Sequence, residues 1–137
     1  HRKAIKMPAD FQNTIEISSS GMEAQARRMR HISENIANVD TPGYRSKTVS
    51  FQGILIGGLE TGRVQVGDVK LSRKELTQIF DPSHPWADDT GYYSGANVDI
   101  IVEVANSRQA NRSYEANLQV FEQARQMHSR LLELARR

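Results

Sequence analysis

The sequence predicts a mainly α fold with a small β insert: long N- and C-terminal helices packed as an antiparallel coiled-coil pair, with a short β region between them. Three observations lead there. Ile15, Met22, Met29 and Ile36 recur every seven residues, an apolar stripe on one helix face whose period favours winding around a partner helix. From Arg45 the period drops to two, with Lys47, Val49 and Phe51 alternating with Ser46, Thr48 and Ser50, the pattern of a strand. A second amphipathic stretch, from about Val98 to Leu134, carries Val104, Tyr114, Leu118, Phe121, Ala124, Leu131 and Leu132. The chain divides into an N-terminal extension (1–9), the terminal-helix coiled-coil domain (10–40 and 97–137) and a β-rich insert (41–96).

Taken in order, residues 1–9 are polar and basic and are expected to be disordered. The first helix starts near Asp10, a suitable N-cap, and runs to about Val39, with Phe11, Ile32 and Val39 on a row beside the main stripe and Ala26 next to it. Gly21 lowers helix strength by about 1 kcal/mol relative to alanine, so a soft spot or a close helix contact is expected there. The helix stops at Asp40-Thr41-Pro42-Gly43-Tyr44. Pro42 disfavours helix at Thr41, and Pro-Gly at the two central positions suits a type II turn. Asn35 and Asn38, near the end of the stripe, either cap the helix or bond across a helix–helix contact and set its register.

The middle third is glycine-rich. Ile54 to Ile56 form a second short strand. Arg63 to Leu71 alternates again, with Gly67 breaking the phase as a bulge. Leu76 to Phe80 is a further strand candidate. Residues 81–85 are an irregular loop, and Asp88-Asp89-Thr90-Gly91 is a turn. Asn97 or Asp99 then caps the second helix, and Arg136 and Arg137 complement the dipole at its C-terminal end.

Composition narrows the function. A chain of 137 residues is one ordinary domain, and 38% hydrophobic content is thin for a self-sufficient core. The terminal helices are therefore expected to become fully ordered when several subunits pack together. The net charge is only +2, with basic and acidic residues interleaved, which reads as a solvated surface. The absence of cysteine removes disulfides, thiolate metal sites and cysteine nucleophiles. No apolar run reaches the roughly 18 residues that span a bilayer, and the first residues contain no hydrophobic segment of the signal-peptide kind.

No constellation nominates an active site, a cofactor site or a metal site. His84 is a lone loop histidine between two prolines, and His31 and His128 lack helical ligand partners. Asp81, Asp88 and Asp89 lack the spacing of a calcium loop, and Gly57-Gly58 fits no phosphate or dinucleotide motif. Arg27, Arg28, Arg30 and His31 form a basic patch. It reads as a solvated face balanced by Glu23 and Glu34; the alternative is a small helical regulator or nucleic-acid-binding module using that face.

The segment Ser33 to Arg45, SENIANVDTPGYR, resembles the flagellar rod and hook family of axial proteins. Asp81 to Tyr93, DPSHPWADDTGYY, then Asn97-Val98-Asp99 and Arg112 to Leu118, RSYEANL, resemble its proximal rod members. The resemblance implies a structural subunit that is not an enzyme and needs no cofactor. It implies passage through the flagellar type III export apparatus without a cleaved signal, and helical assembly in the periplasm with itself and with other rod proteins: proximal rod, distal rod and rod-base adaptor. Torque would pass through that shaft from motor to hook, with no nucleic-acid partner and no direct membrane span. On this reading the packing residues are Ile15, Met22, Met29, Ile32 and Ile36, with Tyr114, Leu118 and Phe121. Asn35, Asn38, Asn117 and the corner Thr41-Pro42-Gly43-Tyr44 set register and exit angle.

Overall fold

A computed structural model describes residues 9–136. The expected disordered extension lies, up to residue 8, outside the described residues. Two long helices dominate. Helix α1 (Ala9–Ala37) comes first and α2 (Ile100–Ala135) last; at 36 residues α2 is about 54 Å long. The start of α2 and the end of α1 follow local chemistry, whereas Asp10, the expected N-cap of α1, lies inside its first turn because the helix already includes Ala9. Asp99 is the N-cap of α2, its carboxylate accepting from the amides of Ile101 (3.0 Å) and Val102 (3.4 Å). Helix α1 ends two residues before the expected Val39, because Asn38 closes it. Its side-chain amide donates to the Glu34 carbonyl at 2.8 Å, taking up one of the acceptors a helix leaves unpaired at its C-terminus. The corner is then a type II turn: Gly43 has φ 75° and the Tyr44 amide reaches the Thr41 carbonyl at 3.1 Å.

The two helices pack on one another along their length. Gly21 lies against Asn117, and the Arg28 guanidinium donates to the side-chain oxygens of Gln109 (3.1 Å) and Asn106 (3.4 Å). Contact partners thus descend α2 as they ascend α1. The buried residues of α1 are Ser18, Gly21, Ala24, Ile32 and Asn35, and those of α2 are Glu103, Ala110 and Ala124. These are mostly small or polar. Gly21 is the close contact of the two options open for it: a Cβ there would stand 2.7 Å from the Asn117 Oδ1.

The insert contains three separate two-stranded antiparallel ladders. Strand β1 (Lys47–Thr48) pairs with β4 (Lys70–Leu71), β2 (Phe51–Ile56) with β3 (Leu59–Val66), and β5 (Gln78–Phe80) with β6 (Tyr92–Ser94). Several sequence expectations need correction here. The alternating run from Lys47 to Phe51 is not one strand, because its two halves pair with different partners. Arg63 to Leu71 is likewise divided between β3 and β4. The bulge falls between Gly53 and Leu55 rather than at Gly67; Gly67 lies just past β3 and donates to the Ser50 carbonyl at 2.7 Å. Strand β6 had no signal in the sequence. The β2–β3 turn is Gly57-Gly58 with φ of 60° and 78°, the left-handed pair that a two-residue hairpin loop requires. Strand β3 lies along α1: the Val64 amide donates to the Ser20 hydroxyl at 3.1 Å, and Arg63 approaches Glu16 at 3.9 Å.

Candidate assembly interface

Two sets of residues organise the molecule: a polar junction where α1, the insert and α2 meet, and the rows of side chains along the helices. The junction is built around Asn35, whose side chain is 1% exposed. Its Oδ1 accepts from the Lys47 amide and from the Tyr44 hydroxyl, both at 2.8 Å, and its Nδ2 donates to the Lys47 carbonyl at 2.9 Å. One primary amide therefore pairs with both main-chain groups of a single residue, as a neighbouring strand would. This corrects the cross-helix role weighed for Asn35. Its amide bonds to the chain returning from the corner, because that backbone, twelve residues on, supplies a donor and an acceptor at the spacing an amide matches.

Tyr44 completes the junction from the other side of the corner. Burial pushes its phenol above the usual tyrosine range, nearby Glu34 and Glu103 act in the same direction and Lys47 opposes them, so the hydroxyl stays protonated as the donor to Asn35. Lys47 extends the network outward, its ammonium 2.6 Å from the Glu34 carboxylate. That hydrogen bond holds Glu34 below the usual carboxylate range and Lys47 above the usual lysine range. A second asparagine ties α2 to the same knot. Asn97 accepts from the Ser46 amide at 2.7 Å and donates to the carbonyls of Ser72 (3.2 Å) and Lys74 (3.0 Å), which Arg45 also contacts. Buried Glu103, in the first turn of α2, meets the Ser46 hydroxyl at 3.4 Å. Backbone contacts finish the corner: Gly43 donates to the carbonyls of Ser94 and Gly95, and Asn97 to that of Tyr44.

Of the residues singled out in the sequence, Asn35, Tyr44 and Gly43 come together here. Asn38 and Thr41 do so one step away, the Thr41 hydroxyl donating to the Asn38 Oδ1 at 3.0 Å. Pro42 is half-buried on the corner. Ile32 is buried, 6% exposed, one turn before Asn35. Ile15, Met22, Met29 and Ile36 are only half-buried, as are Tyr114, Asn117, Leu118 and Phe121 on α2. The fully buried positions of α1 fall beside the heptad row rather than on it. Small residues let two helix axes approach, so the larger side chains flank the contact. Sequence reasoning passed over Ser46, Glu103, Ala110 and Ser18 as functional residues, and saw Asn97 as a possible cap within a family motif but not as a tie to Ser46; none belongs to a periodic apolar pattern.

The helices leave apolar surface uncovered. On α2, Val120 is 45%, Met127 52%, Leu131 43% and Leu134 64% exposed, and spacings of seven, four and three place them on one face. Two members of the basic patch are engaged within the chain: Arg27 pairs with Glu23 at 3.4 Å, and Arg28 is held by α2. His84 stacks on Tyr93 with ring centroids 3.8 Å apart. Among the described residues no helix is long and apolar enough to cross a membrane.

Residues 15–45 match the family model described as "Flagella basal body rod protein", and residues 89–134 match that described as "Flagellar basal body rod FlgEFG protein C-terminal". The chain is 42% identical to the flagellar basal-body rod protein FlgC of Agrobacterium fabrum, over 87% of this chain and 91% of that protein. It is 35% identical to the FlgC of Escherichia coli O6:H1, over 89% and 96% of the two chains. The FlgC of Aquifex aeolicus is 30% identical, over 90% and 96%. The family models cover the first helix with the corner and the C-terminal helix, and the alignments with these relatives cover 87–90% of the chain.

Proposed function

The chain belongs to the FlgC family of flagellar basal-body rod proteins, a structural rod subunit and not an enzyme, and from that premise we propose how it assembles. Its terminal helices act as an antiparallel coiled-coil pair, and successive subunits pack these pairs helically into the wall of the rod. The β-rich insert, residues 41–96, covers one flank of the helix pair, with β3 lying along α1. The junction at Asn35 and Tyr44 holds the angle between the two.

The observation that carries this reading is the apolar row Val120, Met127, Leu131 and Leu134 on α2, which its own chain leaves 43–64% exposed. A row of that length costs free energy in water and is stabilised when a neighbouring helix covers it. The half-buried heptad row of α1, Ile15, Met22, Met29 and Ile36, offers a second such surface. Partners on this reading are further copies and the other rod proteins. The chain reaches the periplasm through the flagellar export apparatus and transmits torque there.

The test is genetic and biochemical. Deletion of the gene should abolish the hook, and an epitope-tagged copy should restore it and co-purify with detergent-extracted basal bodies. Hooks that persist in the deletion strain would refute the assignment.

A further inference from the structure

The β2–β3 hairpin presents apolar side chains at its tip that none of the described residues covers. Leu55 is 59%, Ile56 58% and Leu59 74% exposed, on either side of the Gly57-Gly58 turn. Strand β2 adds to the exposure, since it pairs on one edge only and carries no charged residue. Open, uncharged edges are where chains join by accident, and natural proteins cover or charge them.

The placement of the hairpin fixes what lies nearest to its tip. Strand β3 runs beside α1 in the same direction. Gly62 lies against Ile17, where a Cβ would stand 3.0 Å from the Ile17 Cδ1, and the Val64 amide donates to Ser20 one turn further along. Towards the helix start, Asn13 and Glu16 of α1 share a cleft with Ile56, Glu60 and Thr61 of the hairpin. Leu59 lies about 10 Å before Gly62 along a strand, and Ala9 about 12 Å before Ile17 along a helix. The tip is therefore level with the N-terminus of α1, where residues 1–8 join it.

That segment, HRKAIKMP, has the matching chemistry. Pro8 favours extended backbone at Met7, and an extended chain puts Ile5 and Met7 on one face. Arg2, Lys3 and Lys6 are cationic, and the segment contains no acid. Around the tip the balance is reversed. Asp10, Glu16 and Glu60 stand against Arg63, and among the described residues only Glu16 of the three has an ion pair, with Arg63 at 3.9 Å. Reach is ample, because Ile5 is four residues before Ala9 and extends up to about 14 Å from it. Tethering decides between occupants: a short linker holds the segment at an effective concentration of about millimolar, well above that of a free partner of the same chemistry. Composition alone leaves this segment disordered; the hairpin supplies the apolar partner that composition does not count.

We infer that residues 1–8 lie extended across the β2–β3 tip of their own chain. Ile5 and Met7 cover Leu55, Ile56 and Leu59, and Lys3 and Lys6 neutralise Glu60. The contact goes beyond the assembly reading, since it shields an apolar edge within one subunit and needs no neighbour.

The chain has no cysteine, so an engineered pair reports on one contact alone. In dilute full-length chain, Ile5→Cys with Leu59→Cys should oxidise to an intramolecular disulfide, seen as a monomer of raised mobility on a non-reducing gel. Ile5→Cys with Leu71→Cys should not, because Leu71 pairs with Lys47 beside Asn35, near the opposite end of α1. A second readout leaves the hairpin unaltered. Hydrogen exchange at the amides of residues 55–59 should be slower in the wild type than in Ile5→Asp with Met7→Asp, and at low salt Glu60→Lys should lose the same protection. The inference is overturned if the first cysteine pair gives only intermolecular dimers, which would assign the tip to a second copy, or no disulfide. It is equally overturned if exchange is unchanged by the two aspartates. A chain that built no rods could still pass both measurements, so this contact and the rod assignment fail separately.

Discussion

Replacing Asn35 with alanine tests the junction most directly. The substitution removes three hydrogen bonds together: from the Lys47 amide and the Tyr44 hydroxyl to Oδ1, and from Nδ2 to the Lys47 carbonyl. Each of the three groups left behind loses its partner in a part-buried setting. An unsatisfied buried polar group costs about 1–3 kcal/mol; at the low end, since water reaches part of this site, the sum is about 3 kcal/mol. In urea, with a slope of about 1.5–2 kcal/mol/M for a small domain, the unfolding midpoint should fall by about 1.5–2 M. Tyr44→Phe removes only one of the three bonds and leaves Oδ1 with the Lys47 amide, so it should cost about 1 kcal/mol. The double variant should be less destabilised than the sum of the singles, because the two changes delete one shared bond. Hydrogen exchange supplies a local readout: the Lys47 amide should exchange faster in Asn35→Ala. An unchanged urea midpoint together with an unchanged Lys47 exchange rate would falsify the claim that this amide holds the corner.

Three further outcomes are expected. Gly21→Ala should destabilise by about 1–3 kcal/mol in a urea titration, the usual cost of overpacking, despite a helix-propensity gain of about 1 kcal/mol. The new Cβ would stand 2.7 Å from the Asn117 Oδ1 while the Asn117 amide is anchored on the Ser113 carbonyl; adding Asn117→Ala should recover the loss. The Glu34–Lys47 pair should give a two-sided pH dependence. Because the Glu34 pKa is depressed, its contribution is complete above the ordinary carboxylate value and is lost as pH falls through its folded value. Because the Lys47 pKa is raised, its contribution is complete below the ordinary lysine value and is lost as pH rises through the folded one. Thermal melts of Lys47→Met against wild type across pH should differ most on the plateau between those limits and converge at both ends. Ile32→Asp places a carboxylate at a position that is 6% exposed and should give a chain that is exported but builds no rods, read as loss of swimming; normal motility would remove Ile32 from the packing set.

The elements that were legible in the sequence are those specified by local chemistry. Two long helices follow from apolar residues at helical spacing, the end of the first from Asn38 as a C-terminal cap, the type II turn from Pro42-Gly43, and the cap of the second from Asp99, all found where expected to within a residue or two. The β-rich character of the insert was legible from period-two alternation, but its pairing was not. Three separate ladders with a bulge at Gly53 depend on which distant strand each segment meets, and alternation alone carries no partner information. Family membership was legible too, because it rests on contiguous motifs, Ser33 to Arg45 and Asp81 to Tyr93.

What the chain order alone determined, then, is a rod at each end, a sharp corner and a weak β segment between them, since each of these depends on residues within one or two turns of one another. Only the tertiary structure decided that the buried faces of the helices are small and polar rather than the large apolar heptad row, and that Asn35 bonds to Lys47 instead of to the other helix. The physical reason is the same in both cases. Close axial approach selects Gly21 over Met22, and an amide bonds to whichever complementary backbone the fold carries past it, a fact of three-dimensional proximity that spacing along the chain does not encode.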